Sequence, residues 1–80
     1  MISKLKTEPK VVGIKQSRKA VQAGRAVRVF LADDADPRIT EPFEELCTVH
    51  QVPVERRVSM KELGQACGIA VGAAVAALVD

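Results

Sequence analysis

The residues best equipped for chemistry lie in one short run, Gly13-Ile14-Lys15-Gln16-Ser17-Arg18-Lys19. The run follows an apolar pair, Val11-Val12, and opens a predicted helix. A glycine after a strand, then polar and basic residues in a first helical turn, leaves backbone N–H groups facing outward. Those amides have no acceptor within the helix, and the helix dipole is positive there, so the turn attracts anions. Lys15 and Lys19 are four apart and share a face. The chemistry on offer is recognition of a polyanion, and the reading is that this turn meets RNA.

Other chemistry is poorly supplied. The one histidine, His50, falls near a predicted helix end, where a lone His serves as a surface or capping residue. Asp33, Asp34 and Asp36 lack the Gly and distal Glu of a calcium loop, and turn formation explains them. Gly64-Gln65-Ala66-Cys67-Gly68 lacks the Gly-Lys-Ser/Thr ending of a phosphate loop. Cys47 and Cys67 have no CxxC or His-spaced companion, so zinc is not expected, and reduced thiols of a cytoplasmic protein are. These residues point away from an enzyme and call for neither cofactor nor metal.

Charge is distributed unevenly. Residues 1–28 carry eight basic groups against one acid, a balance of +7. Residues 29–50 carry six acids and one basic residue, a balance of −5, and the last thirty balance at zero. A basic part beside an acidic part suits a protein that binds a polyanion selectively. With two Phe and no Trp or Tyr, the chain has no aromatics to spare for stacking bases. No signal peptide is read at Met1 to Lys6. The longest apolar run, Ile69 to Val79, spans eleven residues, against the roughly 20 of a membrane helix. One small soluble domain over residues 1–80 is expected, as a monomer, with a thin aliphatic core.

The elements that must position the basic turn read as follows. Residues 2–8 form a turn or two of helix ended by Pro9. Val11-Val12 is a short strand. Lys15 to Ala23 is a helix with Ala20 and Val21 inward, stopped at Gly24. Val27 to Ala32 is a central strand. Asp33 to Pro37 is a turn, after which Thr40 is expected to cap a helix with Pro42 in its first turn and Phe43, Leu46 and Cys47 on one face. Val54 to Val58 is a strand, and Ser59-Met60-Lys61-Glu62 is a capping box for a helix stopping at Gly68. Ile69 to Gly72 is a loop. Ala73 to Val79 is a strand or a helix, and periodicity does not separate the two. The alternation argues for a mixed, largely parallel sheet between helices. If both segments sit at one edge of that sandwich, Ile69 and Val71 set an apolar knob beside the cationic helix start.

At this point the chain resembles a known family. Its signature after the first strand is G-x-N-E-x-x-K, and this chain has Gly13-Ile14-Lys15-Gln16-Ser17-Arg18-Lys19, sharing the Gly and the Lys. An acidic turn before proline, Asp33 to Pro37, and a helix ending in Leu46-Cys47 follow. The run Leu63-Gly64-Gln65-Ala66-Cys67-Gly68-Ile69 completes the set, and the likeness extends from about residue 4 to 79. On these motifs the chain resembles the L-seven-Ae ribosomal-protein family, and most closely its small bacterial, YbxF-type branch.

The resemblance implies a three-layer α/β/α sandwich with a central four-stranded mixed sheet, which makes Ala73–Val79 a strand. It implies non-enzymatic binding of kink-turn RNA, in ribosomal RNA or in a messenger leader or riboswitch, with the ribosome as a further partner. In the family, the Asn, Glu and Lys of the signature meet tandem sheared G·A pairs, which implies that role for Lys15, Gln16 and Lys19. The loop after Cys-Gly-Ile covers a flipped-out nucleotide, which implies Ile69, Ala70 and Val71, and the acid before proline implies Asp36. Lys15 and Gln16 replace the Asn and Glu of the archaeal and eukaryotic pattern, a pair usual in the bacterial branch. Gln keeps an acceptor oxygen but loses the charge that strengthens a hydrogen bond. A rival reading gives the work to the acidic helix around Glu41, Glu44 and Glu45, with a protein as partner.

Overall fold

The computed structural model describes residues 2–80; Met1, part of the N-terminal stretch read above, lies outside them. A 3-10 turn, Ile2–Lys6, leads into strand β1 (Lys10–Val12) and helix α1 (Ile14–Gln22). Strand β2 (Ala26–Leu31), helix α2 (Pro37–Val49), strand β3 (Val54–Glu55), helix α3 (Met60–Ala66) and strand β4 (Val75–Val79) follow. The sheet order is β1-β4-β2-β3.

Side chains along each central strand alternate between two cores, as the pleat requires. Phe30, Ala32, Ala76 and Leu78 face Leu5 of the 3-10 turn and Leu63 and Ala66 of α3. Val29, Leu31, Val75 and Ala77 face Val21 of α1 and Phe43 and Cys47 of α2. Three layers result, with the sheet in the middle. The central strand β4 is mostly alanine and valine, small enough to be covered on both faces in a chain of 80 residues.

The sheet is mixed but not largely parallel. Only β2 and β3 pair in parallel; β4 runs antiparallel to both β1 and β2. The reason is the length of α3. Seven residues carry the chain only about 10 Å. The loop after it then folds back, with the Ala73 amide donating to the Met60 carbonyl at 3.0 Å. The chain therefore re-enters the sheet from the end at which α3 began, and β4 must point against its neighbours.

Two further expectations are corrected. Helix α2 begins at Pro37 with Asp36 as its cap, whose side chain accepts from the Arg38 amide at 2.9 Å. Thr40 is buried within that helix. Proline is favoured at the first helical position, and Pro37 holds it; Pro42, which suggested the later start, is instead inside the helix. Strand β3 pairs over only Val54 and Glu55, after which the backbone leaves the ladder for the cap of α3. The Ser59–Glu62 capping box is present, with Ser59 Oγ accepting from the Glu62 amide at 3.1 Å and Glu62 Oε1 accepting from the Ser59 amide at 3.0 Å.

Candidate nucleic-acid interface

Sheet topology gathers the candidate residues at one end. The pairs Val12↔Ala76 and Leu31↔Val75 put the exits of β1 and β2 beside the entry of β4. Parallel pairing brings the exit of β3 to the same end. Four connections therefore share it: the Gly13 turn, the acidic turn 33–36, the run into α3, and the loop 69–74. Hydrogen bonds lock them together. The Gly13 amide donates to the Val75 carbonyl at 2.8 Å, and the Ala32 amide to the Ala74 carbonyl at 2.9 Å. The Asp33 amide donates to the Val58 carbonyl at 2.7 Å, and the Met60 amide to Asp34 Oδ1 at 2.8 Å.

The start of α1 is shaped by Gly13, which has φ +98° and ψ 160°, a conformation reserved for residues without a Cβ. This turns the chain abruptly out of the sheet and into the helix. No side chain caps the first amides of α1. Lys15, Gln16, Arg18 and Lys19 are exposed, and among the described residues none of these cations makes an ion pair. Their inward neighbours hold the helix down. Ile14 packs partly buried against the core of α1 and α2, and Ser17, Ala20 and Val21 are buried. Ser17 carries no apolar periodicity to mark it as inward, yet it is fully buried. Its Oγ has no hydrogen-bond partner among the described residues.

Loop 69–72 projects because α3 brings it in close. A Cβ on Gly64 would overlap the Val71 carbonyl oxygen, and one on Gly72 would sit 3.2 Å from Met60 Cβ. Both glycines let the loop lie on the helix backbone. The Ile69 amide donates to the Gly64 carbonyl at 3.1 Å. With its backbone so fixed, the loop leaves its side chains outward: Ile69 is 37% exposed and Val71 71%. Large apolar side chains presented this way suit a flat apolar surface such as a base. Ile69, Ala70 and Val71 also line a hollow with Asp34, Met60, Lys61 and Gln65, whereas Gln16 and Lys19 line a separate one with Val11, Ala23, Arg25 and Val79. The two halves thus share an end of the sheet without sharing a cavity.

Asp36 is at the same end, but its carboxylate is occupied. Besides capping α2 it accepts from Arg38 Nε at 3.0 Å and from Arg38 Nη2 at 2.6 Å. The guanidinium, and next the Arg38 amide, hold the Asp36 carboxyl below the ordinary carboxylate range. Arg38 lies in the first turn of α2, ahead of the helix start expected at Thr40. The thiols do not join the site. Burial, with a smaller contribution from the Glu44 carboxylate, pushes Cys47 up to about 11. Burial raises Cys67 as well, against an opposing pull from Lys10. Neither thiol is a ready nucleophile.

The family model described as "Ribosomal protein L7Ae/L30e/S12e/Gadd45 family" matches residues 2–80. This chain belongs to the L7Ae family. It is 46% identical over 68 residues to an RNA-binding protein of Halalkalibacterium halodurans, covering 85% of this chain and 83% of that one. It is 44% identical over 69 residues to the RNA-binding protein YbxF of Geobacillus stearothermophilus, covering 86% and 84%. Among solved structures, the Giardia lamblia 15.5 kD RNA binding protein superposes with a TM-score of 0.91 at 28% identity, over 99% of this chain and 70% of that one. Family and fold thus agree with the motifs at Gly13–Lys19 and Leu63–Ile69.

Proposed function

We propose that this L7Ae-family chain is a non-enzymatic RNA-binding domain that recognises kink-turns and holds them bent. The observation that carries the reading is the hydrogen bond from the Gly13 amide to the Val75 carbonyl. It keeps the cationic start of α1 at the sheet end from which loop 69–72 projects. The RNA-binding names of the relatives support the same reading.

In this account Lys15 and Gln16 meet base edges of tandem sheared G·A pairs, while Arg18 and Lys19 offset the phosphates that a kink crowds together. Ile69, Ala70 and Val71 cover an extruded nucleotide by apolar contact, in keeping with a chain that has no aromatic platform. Gly13 and Ile14 set the position of these groups. Kink-turns of ribosomal RNA or of a messenger leader both fit, in the cytoplasm and on or beside the ribosome, with the protein acting as a monomer. A kink-turn labelled at both ends for energy transfer tests the reading. Addition of protein at low divalent-ion concentration is expected to shift the RNA from extended to bent; an unchanged transfer efficiency at saturation would sink it.

One observation favours a second reading. Val49 is 77% exposed and lines a shallow hollow with Glu41, Glu44, Glu45 and Thr48 on the outer face of α2. A basic protein partner would suit that face. Charge reversal at Glu41 and Glu45 would then abolish ribosome association and leave binding of free RNA intact.

A further inference from the structure

The hollow beside α1 starts at the sheet end that meets RNA in the reading above and runs toward the opposite end. Gln16 and Lys19 line it near the start of the helix, and Ala23 and Arg25 past the helix's last turn. Its other wall is Val11 of the edge strand β1 and Val79, the last residue of β4. Strand pairing fixes this direction. Val12 pairs with Ala76 at the RNA end, whereas Ala26, next to Arg25, pairs with Val79 at the other. From Gln16 to Ala23 the chain rises about 10 Å. The hollow, of about 240 Å³, is therefore elongated along α1.

The end of the helix delivers Arg25 to this groove. Gly24 has φ +73°, and the Arg25 amide donates back to the Ala20 carbonyl at 2.9 Å, so the helix closes on a left-handed glycine. The Arg25 carbonyl accepts from the Asp80 amide at 3.1 Å. Both of its backbone groups are thus held, while its side chain is exposed and, among the described residues, makes no ion pair. The groove has two chemical characters. Val11, Ala20, Ala23 and Val79 give it an apolar floor, and Lys19 and Arg25 a cationic rim; no carboxylate lines it. A ribose–phosphate strand has the matching pair, a sugar face of C–H groups and an anionic phosphate.

We infer that this groove holds a stretch of the RNA backbone beyond the kink, and that Arg25 contacts a phosphate at its far end. This rests on the RNA-binding reading and extends it along α1. Continuity selects RNA as the occupant: Gln16 and Lys19 belong both to the groove and to the surface at the start of α1, so a strand leaving one enters the other. Contacts of this kind fix the register of the RNA and carry no sequence information.

Affinities of the wild-type chain, Arg25→Gln, Arg25→Lys and Lys4→Gln are measured at several salt concentrations. The RNAs are a kink-turn with two long stems, two versions with one or the other stem cut back to the kink, and a plain duplex. Lys4 lies on the 3-10 turn, whose Leu5 packs on the other face of the sheet, so its variant reads the effect of lost charge alone. Arg25→Gln is expected to bind the long-stemmed kink-turn about tenfold more weakly, the loss of one charge-assisted hydrogen bond. Its slope of log affinity against log salt is expected to flatten by about 0.7–0.9, as for one phosphate contact, and Arg25→Lys to restore it. On one of the shortened RNAs, Arg25→Gln and wild type are expected to bind alike, because the contacted phosphate is gone. A loss in Arg25→Gln no greater than in Lys4→Gln would overturn the proposal, and so would an equal loss on all the kink-turn RNAs, the mark of long-range charge. Tighter Arg25-dependent binding of polyglutamate than of RNA would give the groove to an acidic protein segment and overturn it too. If wild type binds duplex and kink-turn equally while Arg25→Gln still flattens the slope, the kink-turn reading fails and the groove stands as an RNA contact.

Discussion

Replacing Gly64 with alanine strikes the joint between α3 and the projecting loop. The new Cβ would overlap the Val71 carbonyl oxygen and lie 3.1 Å from both Val71 C and Gly72 Cα. All three neighbours are backbone, so no side chain can rotate away. The loop is also pinned on both sides, by Ile69 to Gly64 at 3.1 Å and Ala73 to Met60 at 3.0 Å. Helix or loop must therefore move. Overpacking of this kind costs about 1–3 kcal/mol, and backbone overlap belongs at the upper end. Alanine's better helix propensity returns about 1 kcal/mol. The net is a loss of about 2 kcal/mol, or about 8–16 °C in Tm for a domain of this size. Urea and thermal unfolding followed by circular dichroism read it, with Gln65→Ala as an exposed control expected within about 0.5 kcal/mol of wild type. RNA affinity should fall too, because the loop is displaced, while the helix start at Gly13 is untouched. A Gly64→Ala protein as stable as wild type, with unchanged RNA affinity, would refute the close-approach argument.

Gln16→Ala should reduce the preference for RNA with tandem G·A pairs over RNA with Watson–Crick pairs there, whereas Arg18→Ala should weaken both alike; competition gel shifts compare them. Ser59→Ala removes half of the capping box of α3 and should cost about 1 kcal/mol in urea unfolding. Cys47 keeps its proton to about 11 when folded, above its value in the unfolded chain. Its contribution to stability is therefore complete below the unfolded value, near 8.5, and is lost as pH rises through the folded one. Unfolding free energy should fall between about pH 9 and 11, and Cys47→Ala should flatten that fall even though it lowers stability overall.

Much of the fold was legible because its signals are local. The alternation of Val29 to Leu31 between two cores, the Ser59–Glu62 capping box and the stop at Gly68 each depend on a few neighbouring residues. What escaped depends on distance or on competition. Asp36 and Thr40 both have capping side chains, and the burial of Thr40 on the inner face of α2 decides between them. The direction of β4 follows from the chain folding back onto Met60, which no periodicity in Ala73 to Val79 records. Of the candidate site, the Gly13 run and the apolar loop stood out by composition. That they share one end of the sheet comes from strand pairing, and that Arg38 occupies the Asp36 carboxylate comes from side-chain geometry.

The central claim is that this surface reads a kink-turn and not merely its charge. Calorimetric titration of one kink-turn RNA, and of the same RNA with its tandem G·A pairs changed to Watson–Crick pairs, tests it most directly. At equal salt the two RNAs offer similar charge. The account predicts one protein bound per kink-turn, with a clear loss of affinity for the changed RNA. Equal affinity for the two would contradict it.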